Sequence, residues 1–454
     1  MAAVWNIKRQ PHGKFVTCQR PIVVQMEVTQ GAVAHFKGKL YIKDMNPLFG
    51  TGSWEDTGVV VNAYGDEQSE FFECNLAEYC RNYFLEVKAF YNSNWCQNFN
   101  TMVAREFKVD FYPVTIDLSG NLVELPSDIK TTNQFFVVPA NTMARESTSS
   151  VNDNVRLDKF VIGGDNDSTV PVGSSDNNSV LSNMPDYNII DVSQGFWFYH
   201  NTLQHEVSQL TSEVEFVNDS GQSISFNTGS TGYAAVYLHP YMIDFIQTLA
   251  SGTTSNFVTD LVGNVTSETI SVTYKYKNSS GQVIRFSPTK HYIYKNGMPC
   301  KSTTFVFRNM RGGFDFFTAT GEEDVSVELS GSEFDRHTDF NLNINDFGLK
   351  RGQHNMTNLW NDRKELTTIF SQPISKEYAI WLDELIMSPQ VWIIKDIKDY
   401  QEGDNNLFNM PYQNKGLVAI NILKGSYKLH NSENGRHFIE FKYTLSENTI
   451  TQKM

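Results

Sequence analysis

The feature that most constrains this chain is a two-residue rhythm of apolar and polar side chains, broken every few positions by Gly, Asn, Asp or Ser. Side chains alternate between the two faces of a strand, so this rhythm makes half-buried strands, whereas on a helix it would scatter the apolar residues around the axis. Arg105 to Tyr112 shows it plainly: Phe107, Val109 and Phe111 share one face, Lys108 and Asp110 the other. The pattern returns at the expected final strand, with Ile439, Phe441, Tyr443 and Leu445 inward and Glu440, Lys442 and Thr444 outward. Many short strands with turn residues between them predict a mainly β fold of several antiparallel β-sandwich or barrel-like modules.

Two segments resemble each other: EFVNDSGQSISF (Glu215 to Phe226) and KYKNSSGQVIRF (Lys275 to Phe286). Each places Asn-x-Ser-Gly-Gln between alternating arms, a hairpin in which Gly supplies positive φ at the turn. They are either equivalent hairpins of two related modules or one solution found twice. A third hairpin is expected in NMRGGFDFFTATGEED (Asn309 to Asp324), with Thr304 to Arg308 as one strand, a turn at Gly312-Gly313 and a return over Phe314 to Ala319. Gly321 then turns the chain into Val325 to Leu329, a meander.

Helices are few, short and amphipathic. Asn75 with Glu78 three residues on fits a capping box, and Leu76, Tyr79, Cys80 and Tyr83 then share a face. A second helix starts near Ser375, with Tyr378, Trp381, Leu382 and Leu385 on one face and Ser388-Pro389 at its end. A third is expected from Pro240 to Ala250. From Met143 to Asn188 runs a long polar stretch (SSVNDN, GGDNDS, GSSDNNS), either a flexible insertion or an arm that orders against a neighbouring chain.

At 454 residues the chain exceeds the roughly 250 to 300 at which one core stops growing. The expected divisions are a β-rich domain over 1-142 with a short helix near 75-90, the polar loop or arm over 143-190, a β-rich domain with hairpins over 191-330, and a C-terminal α+β or β domain over 331-454.

Chemistry-bearing motifs are scarce. The net charge of −14 repels phosphate, and Lys8-Arg9, Lys350-Arg351 and Arg363-Lys364 are isolated pairs, so no sequence-specific nucleic-acid binding is expected. Cys18, Cys74, Cys80, Cys96 and Cys300 contain no CxxC pair and are expected to be reduced, buried thiols. No apolar run reaches the ~20 residues of a membrane span, and the N-terminus lacks a signal-peptide core, so a soluble cytoplasmic product is expected. The pairs Glu322-Glu323 and Asp383-Glu384 invite a glycosidase reading, but strand neighbours point to opposite faces, and both helical acids are expected to be solvated. His200 and His205 lack the partners of a metal site. Gly312-Gly313 has neither a P-loop lysine nor a following helix, and no nucleophile elbow occurs. No catalytic, cofactor or metal residue is therefore assigned. The aromatic share of 13% suits both a core and an interface.

One region resembles a known group. A strand (TTFVFRN) precedes Gly312, Gly313, Phe314, Asp315, Phe316, Phe317, Thr318 and Gly321, and then come Trp381, Leu382, Glu384, Leu385, Ser388, Pro389 and Val391. This order is similar to structural proteins of crAss-like tailed bacteriophages infecting Bacteroidales, across about a fifth of the chain. The resemblance implies a non-enzymatic virion protein: a tail, neck or hub subunit assembled in the bacterial host cytoplasm. It would form a homo-oligomeric ring or barrel around the DNA channel, against neighbouring tail, neck or portal proteins. The competing expectations are a receptor- or glycan-binding fibre, adhesin or head-decoration protein, and a glycan depolymerase.

Overall fold

A computed structural model describes residues 3–11, 15–19, 21–43, 53–65, 70–84, 105–139, 161–162, 182–191, 198–204, 211–229, 234–238, 269–277, 280–295, 302–335, 356–396, 415–425, 428–431, 437–446 and 449–453. The fold is mainly β, with five sheets and two α-helices among the described residues. Two compact units are present. The first contains Met1–Gly297 and Phe307–Phe317, the second Met298–Val306, Thr318–Asp404 and Asn414–Met454. The expected helix from Pro240 to Ala250, most of the 143-190 stretch, Cys96, Cys300 and His205 lie outside the described residues.

The first unit begins with β1 (Val4–Arg9), β2 (Phe15–Thr17), β3 (Val23–Gln30), β4 (His35–Lys43), β5 (Trp54–Ala63), β6 (Phe71–Asn75), helix α1 (Ala77–Arg81), β7 (Arg105–Ile116), β8 (Leu122–Glu124), β9 (Lys130–Thr131) and β10 (Phe135–Val138). A sheet of order β1-β3-β6 faces one of order β2-β10-β7-β4-β5. Ring contacts join them: Trp5 lies 4.7 Å from Phe36, and Phe36 lies 5.2 Å from Phe72. The alternation of β7 holds, with Phe107, Val109 and Phe111 wholly buried. Beside them on β4, a Cβ on Gly38 would come within 2.7 Å of the Val109 and Phe111 side chains, so glycine here makes room for an aromatic ring. Trp5 also donates through Nε1 to Asp128 at 2.8 Å. Trp5→Phe removes this charge-assisted bond and part of a ring that is wholly buried, so urea denaturation should show a loss of about 3 kcal/mol. At α1 the Asn75 Oδ1 accepts from the Ala77 and Ile22 amides, each at 3.0 Å. Leu76, not Asn75, occupies the cap position, and Glu78 is exposed, so the capping box is replaced by an Asx contact.

The unit continues with β11 (Val161–Ile162), β12 (Asn188–Asp191), β13 (Phe198–Gln204), β14 (Thr211–Asn218), β15 (Ser223–Gly229), β16 (Ala234–Leu238), β17 (Thr269–Lys277), β18 (Val283–Phe286) and β19 (Lys290–Lys295). The two look-alike hairpins, β14–β15 and β17–β18, lie side by side in one sheet rather than in separate modules. Their sequences are offset by 60 positions, and Val214 pairs with Tyr274, its own equivalent. Equivalent residues on either side of that pair are therefore related by a local two-fold axis. Val214, Phe216, Val272 and Tyr274 bury one face, and Lys275–Glu215 (2.7 Å) and Lys277–Glu213 ion pairs line the other.

Not every ladder is antiparallel, as the periodicity had suggested. The pairs β2–β10, β11–β13 and β12–β19 run parallel, each joining strands far apart in sequence, a choice that alternation within one strand cannot encode.

The rest of the described chain comprises β20 (Thr303–Arg308), β21 (Phe314–Ala319), β22 (Glu323–Asp335), β23 (Met356–Phe370), helix α2 (Lys376–Met387), β24 (Val391–Asp396), β25 (Lys415–Ile422), β26 (Lys428–Asn431), β27 (His437–Leu445) and β28 (Thr449–Lys453). The sheet order is β21-β20-β24-β25-β27-β23-β22, so β21 and β22 stand at opposite ends. The expected meander is corrected here: β20 and β21 pair as a hairpin, but β21 and β22 are not neighbours. Residues 320–322 join them, a link of at most ~14 Å, whereas six strand spacings in a flat sheet are ~29 Å. The sheet must therefore curl enough to bring the start of β22 near the end of β21. Its core includes Phe305, whose ring lies 5.2 Å from Phe441 and 5.8 Å from Tyr443. β27 follows its expected alternation except that Thr444 is buried and Leu445 only half-buried, and β28 rather than β27 is last. Helix α2 starts as expected, Ser375 accepting from the Tyr378 amide at 3.3 Å, and buries Trp381, Leu382 and Leu385.

Candidate assembly surfaces

The glycine pair closes a hairpin. Asn309 Oδ1 accepts from the Arg311 amide at 3.0 Å and the Gly313 amide at 2.9 Å, while its own amide donates to the Gly313 carbonyl. The N–H groups that could have met an anion are thus spent within the turn, and Gly312 takes φ +85° as the turn requires. The strands on either side do not alternate as expected: β20 and β21 are buried on both faces, including Thr304, Arg308, Asp315 and Thr318. The tip is a clasp within the first unit. Arg308 donates to the Phe84 carbonyl at 3.5 Å, and its guanidinium lies 5.4 Å from the Phe314 ring. Asn188 donates to the Phe316 carbonyl at 2.9 Å. Burial lowers the Arg308 guanidinium to about 10, opposed by the nearby Cys18. The Cys18 thiol is itself pushed up to about 11 by burial, against the lowering pull of Arg81 and Arg308.

The four acids lie at a turn and on a helix. Glu322 is exposed at the turn, Glu323 heads β22 opposite Ile369, and Asp383 is exposed on α2. Glu384 is the correction, being only 2% exposed. It was expected to be solvated, off the apolar face of the helix, but it stands three residues beyond Trp381 and shares the buried side. His200 lies on β13. Among the described residues no three His, Cys, Asp or Glu converge as metal ligands. Cys18, Cys74 and Cys80 are free and buried, and burial raises Cys74 to about 12, so these thiols are protonated at neutral pH. The Trp54 ring is already engaged, by Lys108 at 4.8 Å and Lys43 at 5.6 Å. No helix among the described residues is long and apolar enough to cross a membrane.

Among the described residues, exposed apolar side chains cluster on hydrogen-bonded turns and on one strand. Asp117 repeats the Asn309 turn: its Oδ1 accepts from the Ser119 and Asn121 amides, its amide donates to the Asn121 carbonyl, and Gly120 has φ +84°. Asn218 does the same with Ser220, Gln222 and Gly221, and the φ of +77° at Gly281 matches. On the Asp117 turn Ile116 and Leu122, which pair directly across the hairpin, are exposed together with Leu118, which is fully exposed. A second apolar surface lies on β22, where Val325 (51%), Val327 (46%) and Leu329 (73%) are exposed. Isolated exposed aliphatics need no explanation, but contiguous ones mark interaction surfaces. Alternation alone missed both patches, because it shows which residues share a face and not whether that face is covered. No protein-family model matches the chain, and no curated protein matches it in sequence.

Proposed function

We propose that this chain is a non-enzymatic structural subunit of a tailed-phage virion, assembling as a homo-oligomeric ring or barrel in the tail or neck against neighbouring tail, neck or portal proteins. The observation that carries the assembly role is the Asp117 hairpin, which spends its polar backbone internally and presents Ile116, Leu118 and Leu122 to solvent. Such a peg suits a complementary pocket on another chain, as a ring requires, since a head-to-tail interface needs two different patches on each subunit. The tail placement rests on the resemblance of the 303–393 region to crAss-like phage proteins. The net charge of −14 is compatible with a DNA conduit that does not hold its cargo.

The test is mass spectrometry and symmetry determination on purified virions. The chain should be present in a multiple set by a cyclic axis, and Leu118→Asp should exclude it from particles without moving the melting temperature of the isolated protein. Absence from particles, or a monomer beside its tail neighbours, refutes the reading.

A further inference from the structure

Natural sheets protect their edges with lysine, proline, bulges or a covering element, because an open edge carries unpaired N–H and C=O groups. The two ends of the second unit's sheet are treated differently. β21 is buried throughout, whereas Asp324 to Leu329 of β22 are exposed on both faces. Among the described residues β22 has one strand neighbour, β23, with which it pairs regularly from Glu323 to Ser332 before a register shift. Its sequence, EDVSVELSGSEFD, contains neither lysine nor proline. One face of this open edge is the stripe Val325, Val327, Leu329; the other presents Asp324, Ser326 and Glu328.

We infer that β22 is a self-association strand, pairing antiparallel with β22 of a second copy about a two-fold axis at Val327. The register follows from charge. Centred on Val327, Val325 meets Leu329 and Val327 meets itself, so two stripes fuse into one apolar patch. The carboxylates then face neutral partners: Glu328 meets Ser326, Asp324 meets Ser330 and Glu323 meets Gly331. Centring on Ser326 sets Asp324 against Glu328, and centring on Glu328 sets Glu328 against itself and Glu323 against Glu333. Like charges directly opposite are destabilising. Registers offset by an odd step pair apolar with acidic residues. Self-complementarity of this kind is the mark of an isologous contact.

A single strand pair falls well short of the ~1,600 Å² of a standard interface, so association of the free chain should be weak, in the micromolar range or above, and be strengthened when other contacts hold copies together. The inference stands on β22 alone and does not require the virion reading.

Sedimentation equilibrium of the full chain should show a reversible dimer, weakened at least tenfold by Val327→Lys, with an unchanged melting temperature because Val327 is on the surface. In the register test, Val327→Cys should form a disulfide-linked dimer under mild oxidation, relative to the parent chain. A mixture of Val325→Cys and Leu329→Cys should cross-link, and Val325→Cys alone should not. A chain monomeric up to about 100 times micromolar concentration, a dimer indifferent to Val327→Lys, or efficient Val325→Cys self-linkage overturns the proposal. Dimerisation through β22 in a chain absent from virions would refute only the proposed function. A free chain that stays monomeric yet is incorporated in virions would refute only this inference.

Discussion

Gly321→Val is expected to cost more than about 4 kcal/mol and to unfold the second unit, read as loss of near-ultraviolet ellipticity from the buried Trp381 and as an early urea transition. A Cβ at this position runs into the carbonyl oxygen of Phe370 and comes 2.6 Å from its carbonyl carbon. The obstacle is backbone, so no rotamer change relieves it. The surrounding bonds prevent a retreat: the Phe370 amide donates to the Glu322 carbonyl at 3.0 Å, and Gln372 Nε2 donates to the Thr320 carbonyl at 3.2 Å. This short turn is also the link that forces the sheet to curl. Gly425 provides the comparison, since it has φ +77° and nothing within 4 Å of a Cβ. Gly425→Ala should therefore cost only the left-handed strain, about 1 kcal/mol.

Asn309→Ala should lose about 3 kcal/mol in the same measurement. The substitution leaves the buried amides of Arg311 and Gly313 without the oxygen they share, and each unsatisfied buried donor costs roughly 1 to 3 kcal/mol. Asn309→Asp keeps both acceptor contacts and should retain most of the stability. Glu322→Gln, further along the same stretch, should change stability by less than about 0.5 kcal/mol, because the carboxylate is exposed and only its backbone carbonyl is used. A functional loss from Glu322→Gln in a folded chain would instead restore a catalytic reading of those acids.

How far the sequence was legible depends on the range over which each feature is encoded. Local features were readable: the alternation of Phe107, Val109 and Phe111, the cap at Ser375, and the Gly221 turn follow from neighbours within a few positions. The Asp117 and Asn309 turns share that Asx-x-x-Gly chemistry, but their remaining residues, Leu118-Ser119 and Met310-Arg311, hid the likeness. Features set by distant segments were not readable. Phe15–Thr17 pairs with Phe135–Val138 across more than a hundred residues, and the burial of β20 and β21 on both faces depends on what covers them. Glu384 was misplaced because the contact face of α2 is wider than the stripe of its aliphatic residues. The apolar patches at Leu118 and Val327 were invisible for the converse reason, that nothing covers them.

The clasp hairpin has one more consequence, for inheritance. The chain enters the second unit at Met298, returns to the first for Phe307–Phe317, and then leaves again at Thr318. A genetic crossover near residue 300, where a domain exchange would look harmless, would supply the second unit with strands from one parent and leave the first unit with a foreign clasp. The two halves of this gene are therefore expected to co-evolve and to be exchanged between lineages only as a whole.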